Sequence, residues 1–239
     1  MNNYIDLENK IRNKKIYRVM TIDRLLEMLE SNENVLVKPS LWDDPFENFI
    51  FNSAVLQPDG TEYKSILRDR AYGQCWSLNI ESDAMWRIYA PEKNGVKIAI
   101  TIRKLFNSFY KSISDYPGIS CFIGKVDYHP NTKLKSLIDD VKKNGITKGG
   151  SLSQAKSLLI KRNAFKHEEE VRLIYLDPKN HSSGNLFRYT FDPLGLIEKI
   201  TFDPRMSESL YRVYNKHILG LGFSGEMLQS GLYKEPGLI

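Results

Sequence analysis

The sequence predicts an α+β fold, a single mixed and mainly antiparallel sheet core with flanking helices. Three observations lead there. Strand-like and helix-like segments interleave over the first half of the chain, whereas strand-like segments follow one another late. No G-x-G-x-x-G follows a strand and no G-x-x-x-x-G-K-[ST] occurs, which argues against a Rossmann or P-loop arrangement. With 239 residues, 41% of them hydrophobic, the chain can bury a sizeable core, and no second core boundary is legible, so residues 1–239 are expected to form one domain.

After a polar lead-in expected to be helical, Lys15 to Met20 (KIYRVM) reads as a strand. Thr21 is the N-cap expected for the helix in TIDRLLEMLES, where Leu25, Leu26 and Leu29 share a face. The helix should stop near Asn32 to Asn34. Val35 to Val37 form a short strand running into Pro39. The segment SLWDDPFENFIF then reads as a turn leading to a helix, since Asp44-Pro45 favours chain reversal. Gln57-Pro58-Asp59-Gly60 is loop chemistry, Tyr63 to Arg70 suits a short helix, and Ala71 to Ser77 (AYGQCWS) a strand. Ser82 or Asp83 caps DAMWRIYA. Val96 to Thr101 (VKIAIT) alternates most clearly, after an Asn94-Gly95 turn.

Gly118 to Tyr128 is strand-like. Thr132 to Lys143 and Gln154 to Phe165 show helical spacing, separated by NGITKGGSLS, a Gly/Ser segment expected to be a mobile loop. Three closing strands follow at Glu169 to Leu176, Leu186 to Phe191 and Leu196 to Phe202. Ser207 then caps an amphipathic helix reaching about Leu221.

No window approaches the roughly 18 apolar residues of a membrane span, and MNNYIDLENKIRNKK lacks a signal-peptide core. A cytoplasmic protein with no membrane partner is the expectation. Cys75 and Cys121 are distant from each other and from any His cluster, so they read as buried small hydrophobes rather than a disulfide or metal site. The net charge of +5 is spread along the chain, a mild bias compatible with nucleotide or nucleic acid partners.

Three constellations could carry chemistry. The first is the acidic strand FKHEEEVR, Phe165 to Arg172, where period-two geometry places Glu168, Glu170 and Arg172 on one face. Carboxylates so close repel one another unless Arg172 or a metal neutralises them. The competing reading is a solvated edge strand, but the apolar continuation VRLIYL points into the core. The second is Trp42-Asp43-Asp44-Pro45-Phe46-Glu47, which is either a helix cap, with Asp43 or Asp44 at N-cap and Glu47 behind it, or a wall of a site. The third is Cys75-Trp76-Ser77 followed by Met85, Trp86 and Tyr89 at helical spacing, a pattern more often core than pocket. Ser77 has no G-x-S-x-G elbow, which disfavours a serine hydrolase.

In their order, L-W-D-D-P-F-E, C-W-S, M-W-x-x-Y-A, G-V-x-I-A-I and F-x-x-E-x-E-x-R resemble bacterial domain-of-unknown-function family 2971. The layout also bears a more distant resemblance to the ADP-ribosyltransferase scaffold. That likeness implies NAD as a substrate, with Arg18 holding a phosphate, Ser77 placing the nicotinamide ribose, Glu170 stabilising an oxocarbenium and Glu168 orienting the acceptor. Tyr17 and Trp76 join Arg18 and Ser77 as expected NAD contacts; Trp42, Asp44, Glu47, Trp86 and Tyr89 are expected substrate contacts.

An NAD-using transferase or NAD glycohydrolase, in the setting of a toxin or defence effector with a protein or nucleic-acid acceptor, is the activity so implied. Two alternatives stay open. One is a metal-dependent nuclease or phosphohydrolase gathering a divalent ion on Asp44, Glu47, Glu168 and Glu170. The other is a non-catalytic nucleotide or peptide sensor walled by Trp42, Trp76 and Trp86.

Overall fold

The computed structural model describes residues 3–235 apart from 43, 45–46, 48–53, 57–61, 65–69, 145–149, 178 and 180–183. The strands are β1 (Tyr4–Ile5), β2 (Lys15–Thr21), β3 (Glu33–Val37), β4 (Ala54–Leu56), β5 (Glu62–Lys64), β6 (Ala71–Ser77) and β7 (Gly95–Thr101). They continue as β8 (Cys121–Lys125), β9 (Asp127–His129), β10 (Ile160–Arg162), β11 (Glu170–Leu176), β12 (Leu186–Thr190), β13 (Lys199–Phe202) and β14 (Glu226–Gln229). Ten of them form one sheet in the order β1-β8-β11-β6-β2-β7-β13-β14, with β3 joining β6 and carrying β12. Only β1–β8 and β13–β14 pair parallel in that sheet. The expected mixed, mainly antiparallel α+β architecture is therefore observed.

The longer helices form where apolar spacing and capping agree. In Ile102–Ser112 the buried Ile102, Leu105, Phe106 and Phe109 form one stripe, and the Thr101 hydroxyl accepts from the Lys104 N–H. Ser82 and Ser207 cap Asp83–Tyr89 and Glu208–Gly220 in the same way. The first helix, Ile22–Ser31, starts after Thr21 as expected, but no side-chain bond is made there. It ends at Asn32 in a left-handed conformation (φ 54°).

Several expectations need correction. Gly118 to Tyr128 is not one strand: a helical turn, Pro117–Ser120, precedes β8, and β9 follows separately. The helix assigned to Gln154–Phe165 is instead Gly150–Ser157, then β10, then a 3-10 segment at Asn163–Glu168. The acidic strand therefore starts only at Glu170. Glu169 has φ 44° and breaks the chain direction before it. Tyr63 and Lys64 lie in β5 rather than a helix, β1 and a run of turns replace the helical lead-in, Leu196 ends a helical turn rather than opening β13, and β14 has no counterpart in the expected elements. The expected turn at Asp43, Pro45 and Phe46, the loop at 57–60, positions 65–69 of the expected helix and 145–149 of the Gly/Ser segment lie outside the described residues.

Each sheet face has its own apolar cluster. The larger one includes Ile16, Leu25, Ile98, Phe109, Leu173 and Phe202 and is covered by Ile22–Ser31, Ile102–Ser112 and Glu208–Gly220. The smaller one, around Phe122, Leu159 and Ile174, lies on the opposite face beneath Gly150–Ser157. Trp42 packs against its margin. Asp83–Tyr89 covers the β2–β7 part of that same face, where Trp86 lies against Gly95 and under Lys97.

Candidate active site

The site forms where β6 changes partners. On one side β6 pairs throughout with β11, with Ser77 opposite Glu170 and Cys75 opposite Arg172. On the other it meets two strands, Gly73 facing Val37 of β3 and Ser77 facing Tyr17 of β2. Between these bridges Gln74, Cys75 and Trp76 have no strand partner on that side among the described residues, so the sheet forks. Directly opposed residues project to one face. Tyr17, Ser77 and Glu170 thus stand in a row across three strands, on the order of 10 Å from end to end.

A cleft of about 330 Å³ opens at this fork, lined below by Tyr17, Cys75, Ser77, Glu170 and Arg172. Met85, Ile88 and Tyr89 line it from one helix, and Leu41, Trp42 and Phe165 from the other side. Trp42 lies over Gly73, where an added Cβ would come within 2.6 Å of its ring, and the Arg172 guanidinium stacks 4.4 Å from the Trp42 centroid.

Its acidic end is a buried charge network. Lys161 Nζ bonds Glu168 Oε2 at 2.6 Å, Glu47 Oε1 at 3.2 Å, and Glu170 Oε1. Arg172 donates from Nε to Glu170 Oε2 at 2.6 Å, from Nη2 to Glu47 Oε1 at 2.8 Å and from Nη1 to the Leu158 carbonyl at 2.7 Å. Arg162 holds Asp44 with two bonds, of 2.7 and 3.1 Å. Charges taken out of water cost several kcal/mol each, so this cluster depends on complete pairing.

The two strand-end acids are driven apart in acidity. Burial, then the hydrogen bond with Glu170, push the Glu168 carboxyl up to about 8. Burial pushes Glu170 up as well, but Arg172, the Glu168 hydrogen bond and Lys161 together outweigh it and hold Glu170 well below the usual carboxylate range. The Glu170 N–H also donates to the Tyr128 hydroxyl at 2.9 Å.

Arg18 behaves differently from the other cleft cations. It lines the fork beside Val35 and Val37, and among the described residues no carboxylate lies within ion-pair distance of it. Burial lowers its pKa. The arrangement leaves a guanidinium facing cleft space, suited to an anionic group of a ligand.

Of the residues expected from the sequence, Tyr17, Arg18, Trp42, Asp44 and Glu47 line this cleft, as do Trp76, Ser77, Tyr89, Glu168 and Glu170. Trp86 does not. It is fully buried, with its indole N–H donating to Glu81, because its side of the helix faces β7. The Ser77 hydroxyl is already engaged, donating to the Glu168 carbonyl at 2.5 Å and accepting from the Asn79 N–H, so it anchors the turn that presents Glu168.

The solvated-edge reading of the acidic segment fails, since β11 is buried throughout between β6 and β8. The divalent-ion alternative loses its donors: Glu47, Glu168 and Glu170 converge on an ammonium, and Asp44 is held by Arg162. Cys75 is only partly buried and borders the cleft, with its thiol pushed up by burial, whereas Cys121 is fully buried. Sequence reasoning missed Lys161, Arg162, Tyr128 and Gly73; a three-residue strand such as β10 has too little length to show a period.

Fold and site together define an α+β protein with a forked sheet whose cleft joins aromatic walls, a paired acidic cluster and an arginine that no carboxylate approaches among the described residues. Residues 85–173 match the model of a family described as "Protein of unknown function (DUF2971)", in line with the resemblance of the motifs. No curated protein matches the chain. Among solved structures, Thermus sp. 2.9 DarT in complex with NAD+ is similar at 13% identity and TM-score 0.40, covering 91% of this chain and 96% of that one. The same protein in complex with ADP-ribosylated ssDNA is similar at 12% identity and TM-score 0.41, covering 91% and 94%. Likeness at that level concerns the path of the chain, and no residue correspondence follows from it.

Proposed function

We propose that the cleft binds NAD and cleaves its nicotinamide–ribose bond, passing the ADP-ribosyl group to an acceptor or to water. The observation that carries this reading is the meeting of Arg18 with the Glu168–Glu170 pair on one aromatic-walled cleft. A dinucleotide presents an anionic linker and flat heterocycles, which a guanidinium without a carboxylate and the rings of Trp42 and Tyr89 suit. The glycosidic C–N bond breaks with its electron pair going to the nicotinamide nitrogen, leaving positive charge on the ribose. The acidic end of the cleft is where such charge would be stabilised, and an ionised Glu168 can take the proton released by the attacking hydroxyl.

The test is nicotinamide release from NAD by the folded chain, compared with Glu170→Gln, with protein and nucleic-acid acceptors supplied. Release that the substitution abolishes supports the reading, and no release above the variant overturns it. One observation favours a second reading, a non-catalytic nucleotide sensor: both Glu170 oxygens are engaged by Lys161 and Arg172. Ligand-dependent tryptophan fluorescence with no turnover would be its signature.

A further inference from the structure

The cleft does not end at Arg18. A second lobe of about 200 Å³ continues past it, sharing Arg18, Val35 and Val37 with the first. Taken together, the lobes of about 330 and 200 Å³ fall within the roughly 300–1,000 Å³ of ordinary small-molecule sites. One face of the first helix supplies Arg24, Glu27, Met28 and Ser31 to this lobe, at i, i+3, i+4 and i+7. Met20, Val35, Val37 and Leu186 complete an apolar interior.

The rim is polar and internally balanced. Glu27 accepts from Arg24 at 3.0 Å and from Arg188 at 3.1 Å, and the other Arg188 terminal nitrogen lies 3.5 Å from Glu33. Both rim guanidiniums are thus engaged by carboxylates, whereas Arg18 at the junction is not.

We propose that the second lobe takes the purine nucleoside half of the dinucleotide with an unphosphorylated ribose, its pyrophosphate crossing at Arg18. This rests on reading the first lobe as the nicotinamide–ribose side. Thioether and aliphatic walls suit a flat heterocycle. Carboxylates at a ribose edge accept hydroxyl hydrogens, whereas a 2′-phosphate needs a guanidinium not already paired. With Arg24 and Arg188 already engaged by Glu27 and Glu33, the rim offers that phosphate no unpaired guanidinium, so the lobe selects NAD over NADP.

The experiment titrates ADP-ribose, ADP-ribose 2′-phosphate and nicotinamide riboside separately into the whole chain, into Glu27→Gln and into Leu186→Trp. Neither position is buried. ADP-ribose is expected to bind at least ~10-fold tighter than its 2′-phosphate, and Glu27→Gln to narrow that gap to about threefold by freeing Arg24 and Arg188. Leu186→Trp, which fills the second lobe at a residue that does not line the first, is expected to weaken ADP-ribose at least ~10-fold and to spare nicotinamide riboside. Equal binding of the two ADP-ribose forms, or ADP-ribose binding indifferent to both substitutions, overturns the assignment while leaving the proposed reaction standing. The expected pattern without nicotinamide release keeps the assignment and removes the reaction. Failure of all three ligands to bind overturns both.

Discussion

Lys161 Nζ lies between the carboxylates of Glu168 and Glu170, joining the end of a 3-10 turn to the first residue of β11. Glu47 approaches the same nitrogen at 3.2 Å. Lys161→Met should therefore destabilise the chain by about 3–5 kcal/mol, because it leaves buried carboxylates without their cation. Urea unfolding measures this, and a loss below about 1 kcal/mol would show that the network is not held by that ammonium.

Arg18→Met should act in the opposite way. With no carboxylate partner to strand, the folded chain is expected to lose less than about 1 kcal/mol, while affinity for ADP-ribose falls by roughly 10- to 100-fold. Arg172→Met is the contrast, since it removes bonds to Glu170, Glu47 and the Leu158 carbonyl. Paired urea and ligand titrations distinguish the two arginines. Equal stability losses would contradict the distinction.

Glu168 ties stability to pH. In the folded chain it keeps its proton up to about 8, whereas an unfolded glutamic acid loses it near ~4.3. Its contribution is complete below the unfolded value and is lost as pH rises through about 8. Glu170, held low, works the other way: its contribution is present above ~4.3 and is lost as pH falls. Glu168→Gln mimics the protonated acid, so on going from about pH 6 to about pH 9 the variant should gain on the parent by on the order of 1–2 kcal/mol. Parallel stability curves would remove this account. If Glu168 serves as the base, the parent's nicotinamide-release rate should also rise towards a plateau above about pH 8.

Gly73→Ala tests the cleft wall. Its Cβ would stand 2.6 Å from a Trp42 ring carbon, so the indole must leave its place over Arg172. A loss of about 1–3 kcal/mol and a shift in tryptophan emission are expected. Unchanged emission would mean that the ring does not rest on Gly73.

Much of the site's address was legible. Local pattern located β2, β6 and β7 to within a residue. The period-two argument brought Glu168, Glu170 and Arg172 together, and they do converge, but for a different reason. Glu168 reaches Lys161 from a 3-10 turn, after which Glu169 adopts φ 44°. Lys161 itself escaped notice because Ala155, Leu158 and Leu159 continue a helical spacing into β10, and only its long-range parallel pairing with β9 makes that segment a strand.

By itself the sequence determined the α+β class, the strands β2, β6 and β7 and the serine caps at Ser82 and Ser207, since these depend on local periodicity and short-range hydrogen bonding. The tertiary structure alone decided the rest. Only pairing across the sheet could fork β6 between β2 and β3, and only the fold could bring Lys161 to the acids and keep the carboxylates of the described residues away from Arg18. Arg172–Glu47 and Arg162–Asp44 join residues far apart in the chain, and Lys161, though only seven and nine residues from its acids, meets them through the pairing of β10 with β9; no local pattern encodes either.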